Sequence, residues 1–223
     1  MQVQVVSDVV CPWCRIGKKN LADAAVEFTK QTGEDIEITF LPYLLDPIQP
    51  DEVGESFRDR FVNRKGMSEA QMDEMFARVT EVGKQYGLDY HFENVKVAVN
   101  TVPAHELMEL TPEAQRVPLM DELMKAYFED GKNIGDADEL LSIAESVLGK
   151  EQADEIAPAL KGRAAQDVVM QAIHQVQAAG IRSVPYTIID GKLAVSGGQP
   201  PQVFLGALRQ AWEMKNGQAE QSQ

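Results

Sequence analysis

Cys11 and Cys14 are the only cysteines in a chain of 223 residues, and two residues separate them. A thiol becomes a nucleophile when it loses its proton, and at this spacing the two sulfurs can close on each other as a disulfide. Such a pair fits a redox couple, half of a metal site, one nucleophile beside a bystander, or two small buried residues. Zinc wants four ligands, and there is no second cysteine pair. His91, His105 and His174 are scattered without ligand spacing, so no metal is expected. Two cysteines build no disulfide framework in a chain of this length. In a reducing compartment, a lone C-x-x-C signals transient redox chemistry more often than structure.

The surrounding stretch, "VVSDVVCPWCRIGKKNL" at 5–21, weighs against two inert core residues. Residues 2–7 alternate and end in an apolar pair, which reads as a strand. A helical pattern starts at Pro12, with Ile16, Leu21, Ala24, Ala25 and Phe28 on one stripe and Gly33 closing it. "IEITFLPYLL" (36–45) is a second strand ending near Asp46-Pro47, completing a β-α-β unit. Cys11 therefore falls where a strand ends and a helix begins. Unpaired N–H groups and the positive end of the helix dipole favour a thiolate there. Arg15, Lys18 and Lys19 add positive charge, and Pro12 fits a first turn that needs no N–H. Cys14, one turn on, is expected to be the more buried, resolving thiol.

From about residue 51 to 179 the pattern is helical almost throughout. Ser68 opens one helix, Thr111-Pro112 reads as an N-cap with proline in the first turn, and Asp136 with Glu139 resembles a capping box. One extended interruption, "LDYHFENVKVA", spans 88–98. Strand signals return in "SVPYTIIDGKLAVSG" (183–197), two short strands joined by the favoured hairpin turn Asp190-Gly191. A last helix is expected from about 202 to 215, with a frayed polar tail over 216–223. The fold class is α/β. Residues 1–50 and 180–215 form one sheet-bearing domain, and 51–179 form an all-α domain inserted between its halves.

Composition sets broad limits. At 44% hydrophobic and 25% charged the chain is ordinary for a globular protein, so its core needs no staples. A formal net charge of −14 argues against a general nucleic-acid surface or a polybasic membrane anchor. No apolar run reaches the roughly 18 residues of a membrane span. The start, Met1 followed by "QVQVVSD", lacks a basic region, a long apolar stretch and a cleavage site, so the expected location is cytoplasmic.

Four segments in order, "SDVVCPWC" (7–14), "NTVPAHEL" (100–107), "AYFEDGKNIGD" (126–136) and "GIRSVPYTIIDGKLAVSGGQP" (180–200), resemble the thioredoxin superfamily. Within it they resemble the DsbA-like branch and its FrnE-type dithiol oxidoreductases. The resemblance implies a thioredoxin-like fold (β-α-β … β-β-α) carrying the helical insertion. It implies a protein disulfide oxidoreductase or isomerase in which Cys11 attacks and Cys14 resolves, supported by Pro12 and Trp13. It further implies a cis Val184-Pro185 peptide facing the cysteines, with the Val184 backbone free to pair with an extended peptide. Disulfide-containing proteins or peptides are the expected partners. No cofactor is expected beyond the redox-active disulfide, with glutathione a candidate co-substrate.

One departure stands out. Many relatives carry a buried acid six residues before the nucleophile, where this chain has Val5; the nearest acid is Asp8, with a structural, electrostatic or proton-transfer role open to it. Asn100 and His105 are candidate substrate-binding residues, against the plainer readings of a helix cap and a structural histidine. Gly198 and Gln199, in "GGQP", are placed at the entry to the last helix beside the site. The alternative function is a glutathione-dependent isomerase or transferase, related to 2-hydroxychromene-2-carboxylate isomerase and the kappa-class glutathione transferases. Those enzymes generally place a serine first, and Cys14 would expel bound glutathione from a mixed disulfide. A non-catalytic peptide-binding module is the third class.

Overall fold

The alternation at the start of the chain buries Val3 and Val5 and leaves Gln2 and Gln4 exposed, as a strand covered on one face requires. In a computed structural model, which describes residues 1–47 and 55–220, this segment is β1 (Gln2–Ser7). It leads into α1 (Pro12–Thr32), capped by Gly33 in the left-handed conformation, and then β2 (Glu37–Pro42). Among the described residues seven helices follow: α2 (Phe57–Lys65), α3 (Glu69–Gln85), α4 (Val102–Leu110), α5 (Glu113–Phe128), α6 (Ala137–Leu148), α7 (Lys150–Lys161) and α8 (Gln166–Ala178). The chain then closes with β3 (Tyr186–Ile189), β4 (Leu193–Ser196) and α9 (Pro201–Glu220).

The sheet has the order β2-β1-β3-β4. β1 pairs in parallel with β2 and antiparallel with β3, so the strand that delivers the cysteines is flanked on both sides. β3 and β4 form the expected hairpin, with Asp190 and Gly191 both at positive φ (47° and 64°). This is the α/β thioredoxin-like arrangement with helices between its halves.

Several local expectations need correction. Thr111 does not cap α5. Its hydroxyl donates to the carbonyl of Leu107 at 2.8 Å, so it ends α4, and Pro112 precedes α5. Asp136 caps α6 by accepting from the N–H groups of Asp138 and Glu139, whereas the reciprocal capping box belongs to Ser68 and Gln71. The last helix, expected to end near 215, runs on to Glu220 through Asn216 and Gly217, two residues of low helix propensity. Residues 221–223 and the division expected at 50/51 lie outside the described residues.

Two large apolar clusters hold these layers, beside a small one of Val102, Val169 and Ile173. In one, Val3, Val5, Leu21, Phe28, Phe204 and Leu208 join the sheet to α1 and α9. In the other, Cys11, Cys14 and Ile16 pack with Met72, Phe76, Leu107, Leu123 and Phe128 from the helices between β2 and β3, and with Ile134 from the turn before α6. No described helix is long and apolar enough to cross a membrane. Phe204 is fully buried in the first cluster, so Phe204→Ala is expected to cost about 3–5 kcal/mol in chemical denaturation. A loss under 1 kcal/mol would show that α9 is not part of the cooperative core.

Candidate active site

Cys11 is the N-cap of α1, in extended conformation, and Pro12 occupies the first turn. The Cys11 Sγ accepts a hydrogen bond from the backbone N–H of Cys14 at 3.2 Å, using one of the donors a helix start leaves unpaired. Both cysteines are free thiols; Cys11 is 2% exposed and Cys14 fully buried. The Val184–Pro185 peptide is cis, and Cys11 Sγ donates to the Val184 carbonyl oxygen at 3.9 Å.

The electrostatics depart from the expected thiolate. Burial pushes the Cys11 thiol well above its ordinary value, Cys14 pushes further the same way, and Asp8 adds to it; the Cys14 N–H alone pulls it down. The nearby cations are also committed elsewhere. Arg15 pairs with Glu129 and donates to the Asp89 carbonyl, Lys18 pairs with Asp121, and Lys19 pairs with Asp23. Arg15 and Lys18 are buried, so neither points into solvent as a long basic side chain usually does.

Asp8 is fully buried, and its Oδ2 accepts from the N–H of Leu45 at 2.7 Å. Its backbone carbonyl also receives the Cys11 N–H at 3.1 Å. Val5 lies in the apolar cluster on the α1/α9 face, so this chain's buried acid sits at Asp8 instead. His105 is 4% exposed, with Nε2 3.1 Å from the Tyr43 carbonyl and 3.3 Å from Asp8 Oδ1. Asn100 accepts from the N–H of Val102 at 2.9 Å, a cap at the start of α4. Neither lines the cavity beside Cys11. Gln199 accepts through its carbonyl from the Asn20 side chain at 2.8 Å, tying the last helix entry to α1.

That cavity, of about 280 Å³, is lined by Cys11, Pro12, Trp13 and Val184 on one side and by Phe57, Phe61, Phe76, Phe92, Tyr127 and Phe128 on the other. Its aromatic wall is closely stacked, with Phe76 and Phe92 4.2 Å apart between ring centroids. The sequence reading missed this wall. Two signals pointed to it: the extended interruption at 88–98 supplies Phe92, and "AYFEDGKNIGD" supplies Tyr127 and Phe128. Tyr90 also donates its hydroxyl to the Pro12 carbonyl at 2.8 Å, and its ring lies under the Arg15 guanidinium at 5.2 Å. Burial raises the pKa of both Tyr90 and Tyr127, keeping their hydroxyls protonated. Among the described residues no group of three or more His, Cys, Asp and Glu is placed to hold a metal ion.

Residues 2–209 match the family model described as the DSBA-like thioredoxin domain. The uncharacterized protein YwbO of Bacillus subtilis (strain 168) is 29% identical over 210 residues, covering 93% of this chain and 96% of that one. Among solved structures, the "probable DsbA oxidoreductase SCO1869" from Streptomyces coelicolor superposes with a TM-score of 0.84 at 27% identity, covering 95% of this chain and 90% of that one. The cytosolic disulfide reductase DsbM from Pseudomonas aeruginosa, solved with GSH, shares the fold at a TM-score of 0.62 and 14% identity, covering 99% and 100% of the two chains.

Gly198 fixes the approach of the β4–α9 connection to the active-site helix. A Cβ there would stand 2.8 Å from the Trp13 carbonyl oxygen and 3.4 Å from the Gly17 amide nitrogen, both backbone atoms that cannot swing aside. Gly198→Ala is expected to cost about 1–3 kcal/mol in denaturant titration. An unchanged midpoint would show that the connection can simply move away.

Proposed function

This chain belongs to the DSBA-like thioredoxin domain family, and on that premise we propose that it is a thiol–disulfide oxidoreductase acting on proteins, peptides or small disulfides. The observation that carries the reading is a free thiol at the start of α1, with a second thiol one turn on and an apolar cavity open beside it. Cys11 loses its proton and attacks one substrate sulfur. The S–S bond breaks, one substrate thiolate leaves and takes up a proton, and Cys11 holds the other half as a mixed disulfide. Cys14 then gives up its proton and attacks Cys11 Sγ, expelling the second thiolate, which is protonated in turn. Two electrons have passed to the substrate, now two thiols, and Cys11–Cys14 is the disulfide. Run backwards, the same steps oxidise a substrate dithiol.

The environment of Cys11 favours the reductive direction. A strong oxidant owes its potential to a reduced form stabilised as thiolate, and burial here opposes that form. The Val184 carbonyl offers an extended substrate a backbone partner beside Cys11. The cavity is suited to an apolar group next to the substrate sulfur: about 280 Å³ compares with the roughly 150 Å³ of an apolar cavity that takes up benzene. Glutathione is the proposed thiol that returns the pair to its reduced state, and the cytoplasm is the proposed location. Cys14, within one turn of Cys11, weighs against an isomerase or transferase that must keep glutathione bound.

Cys14→Ser is expected to accumulate mixed disulfides through Cys11, seen by mass spectrometry after incubation with a disulfide-bonded peptide, while Cys11→Ser accumulates none. Absence of adducts together with no disulfide reduction by the unaltered protein would sink the reading. The reduction potential of the pair is expected at or below the glutathione poise of about −220 to −260 mV. A value near that of a strong oxidant, about −120 mV, would reverse the assigned direction.

A further inference from the structure

Cys11 is 2% exposed, and it lines the cavity of about 280 Å³. A disulfide has to enter that space to meet the sulfur, and a folded protein carries its disulfides on a framework too bulky to follow. The wall of the cavity is aromatic in a particular way. Phe57, Phe76 and Phe92 lie nearly parallel, with 10° and 8° between successive rings, and Phe61 stands across the first two at 70° and 78°. Rings so arranged gain more from a further ring, stacked or edge-on, than from an alkyl chain of equal area. The volume is well above the roughly 150 Å³ that takes up benzene, so a substituted ring fits.

The charges at the cavity are unevenly committed. Among the described residues that line it, the formal charges are Asp46 and Lys65. Arg60 takes both Asp46 carboxylate oxygens, at 2.5 and 3.0 Å, whereas Lys65 Nζ stands 3.8 Å from the same group, beyond hydrogen-bond reach. That ammonium lies 5.3 Å from the centroid of the Phe61 ring and is partly open to solvent. A carboxylate carried on a ring in the cavity would give it the close partner that Asp46 does not. The exchange sets a further condition. Cys14 must expel the retained half of the substrate as a thiolate into apolar surroundings, where charge is costly. An aryl thiolate spreads its charge into the ring, and the more acidic thiol leaves faster.

We propose that the substrate is a small disulfide with at least one half an aromatic thiol bearing an acidic group, its ring seated against Phe57, Phe76 and Phe92 and its acid at Lys65. This rests on the reading of Cys11 as the attacking thiol. The Cys11 thiolate attacks the ring-bearing sulfur, the substrate S–S bond breaks, and the other half leaves towards solvent as a thiolate that takes up a proton. Cys14 then loses its proton and attacks Cys11 Sγ. The mixed disulfide breaks, the aryl thiolate departs, and the Cys11–Cys14 disulfide forms. Two electrons of the dithiol have passed to the substrate, and two glutathione molecules, oxidised to their own disulfide, restore the pair.

The test compares disulfides on the reduced Cys14→Ser protein, whose single thiol allows one exchange step. 5,5′-Dithiobis(2-nitrobenzoate) is aromatic with a carboxylate on each ring, 4,4′-dithiodipyridine is aromatic without an acid, and bis(2-hydroxyethyl) disulfide is neither. Each rate is divided by that disulfide's own rate with free 2-mercaptoethanol at the same pH, which removes intrinsic reactivity. The state of the Cys11 thiol is common to all three and cancels. The normalised rate is expected to be about tenfold higher for 4,4′-dithiodipyridine than for bis(2-hydroxyethyl) disulfide. Lys65→Gln is expected to lower the nitrobenzoate rate relative to the dipyridine rate about threefold, and Lys65→Arg to preserve the ratio. Ala98→Leu, which fills the cavity without removing a ring, is expected to bring the aromatic disulfides down towards the aliphatic one. Equal normalised rates for the aromatic and aliphatic disulfides would overturn the proposal with no variant involved. So would an unchanged aromatic ratio in Lys65→Gln, or a faster normalised rate for the disulfide-bonded peptide of the trapping experiment. A protein that exchanges with none of these disulfides fails the reading of Cys11 itself, so the two failures are distinct.

Discussion

The site depends on where one helix begins. Starting α1 at Pro12 makes Cys11 its cap, sets the Cys14 N–H 3.2 Å from the Cys11 sulfur, and turns the second thiol inward one turn later. A start one residue earlier or later would break that register. Three separate contacts fix it: Tyr90 holds the Pro12 carbonyl, Gly198 presses on the backbone at Trp13, and Val184 closes over the sulfur. Each comes from a segment far away in sequence, so the tertiary structure over-determines a local choice that proline alone only favours.

That dependence explains what could be read from the amino acids. The strand-to-helix junction, the hairpin turn at Asp190-Gly191 and the separation of the two sheet halves are local patterns, and each follows from alternation, helical stripe or turn chemistry. The facing position of Val184-Pro185 was carried by resemblance, since nothing in a lone Val-Pro pair specifies a cis bond. What stayed hidden is non-local. The basic charge of Arg15 is cancelled by Glu129, 114 residues on, and no spacing rule reaches that far. The aromatic wall gathers side chains from α2, α3, α5 and the extended stretch between α3 and α4, none of which is distinctive alone. Thr111 misled for a smaller reason: a threonine before proline suits either end of a helix, and the hydroxyl turned back to Leu107.

Burial and charge pull against each other at this site. A helix start offers partial positive charge, yet the same packing that positions Cys11 removes the water a thiolate would need. The nearest cations are already paired, and a buried carboxylate lies behind the sulfur. Reactivity must then come from whatever relieves this balance, such as a substrate arriving in the cleft. The apolar lining sharpens the effect, because charges interact more strongly where water is excluded.

The ion pairs of α1 carry a consequence for how the molecule can be divided. Arg15 and Lys18 are buried cations on the active-site helix, and their partners, Glu129 at the end of α5 and Asp121 within it, belong to the stretch between β2 and β3. Cutting that stretch away would strand two charges on the helix that bears the cysteines and uncover the apolar cluster to which those cysteines belong. The sheet-bearing half is therefore no free-standing module with an optional accessory. A shortened version would have to rewrite the inner face of α1 before it could fold.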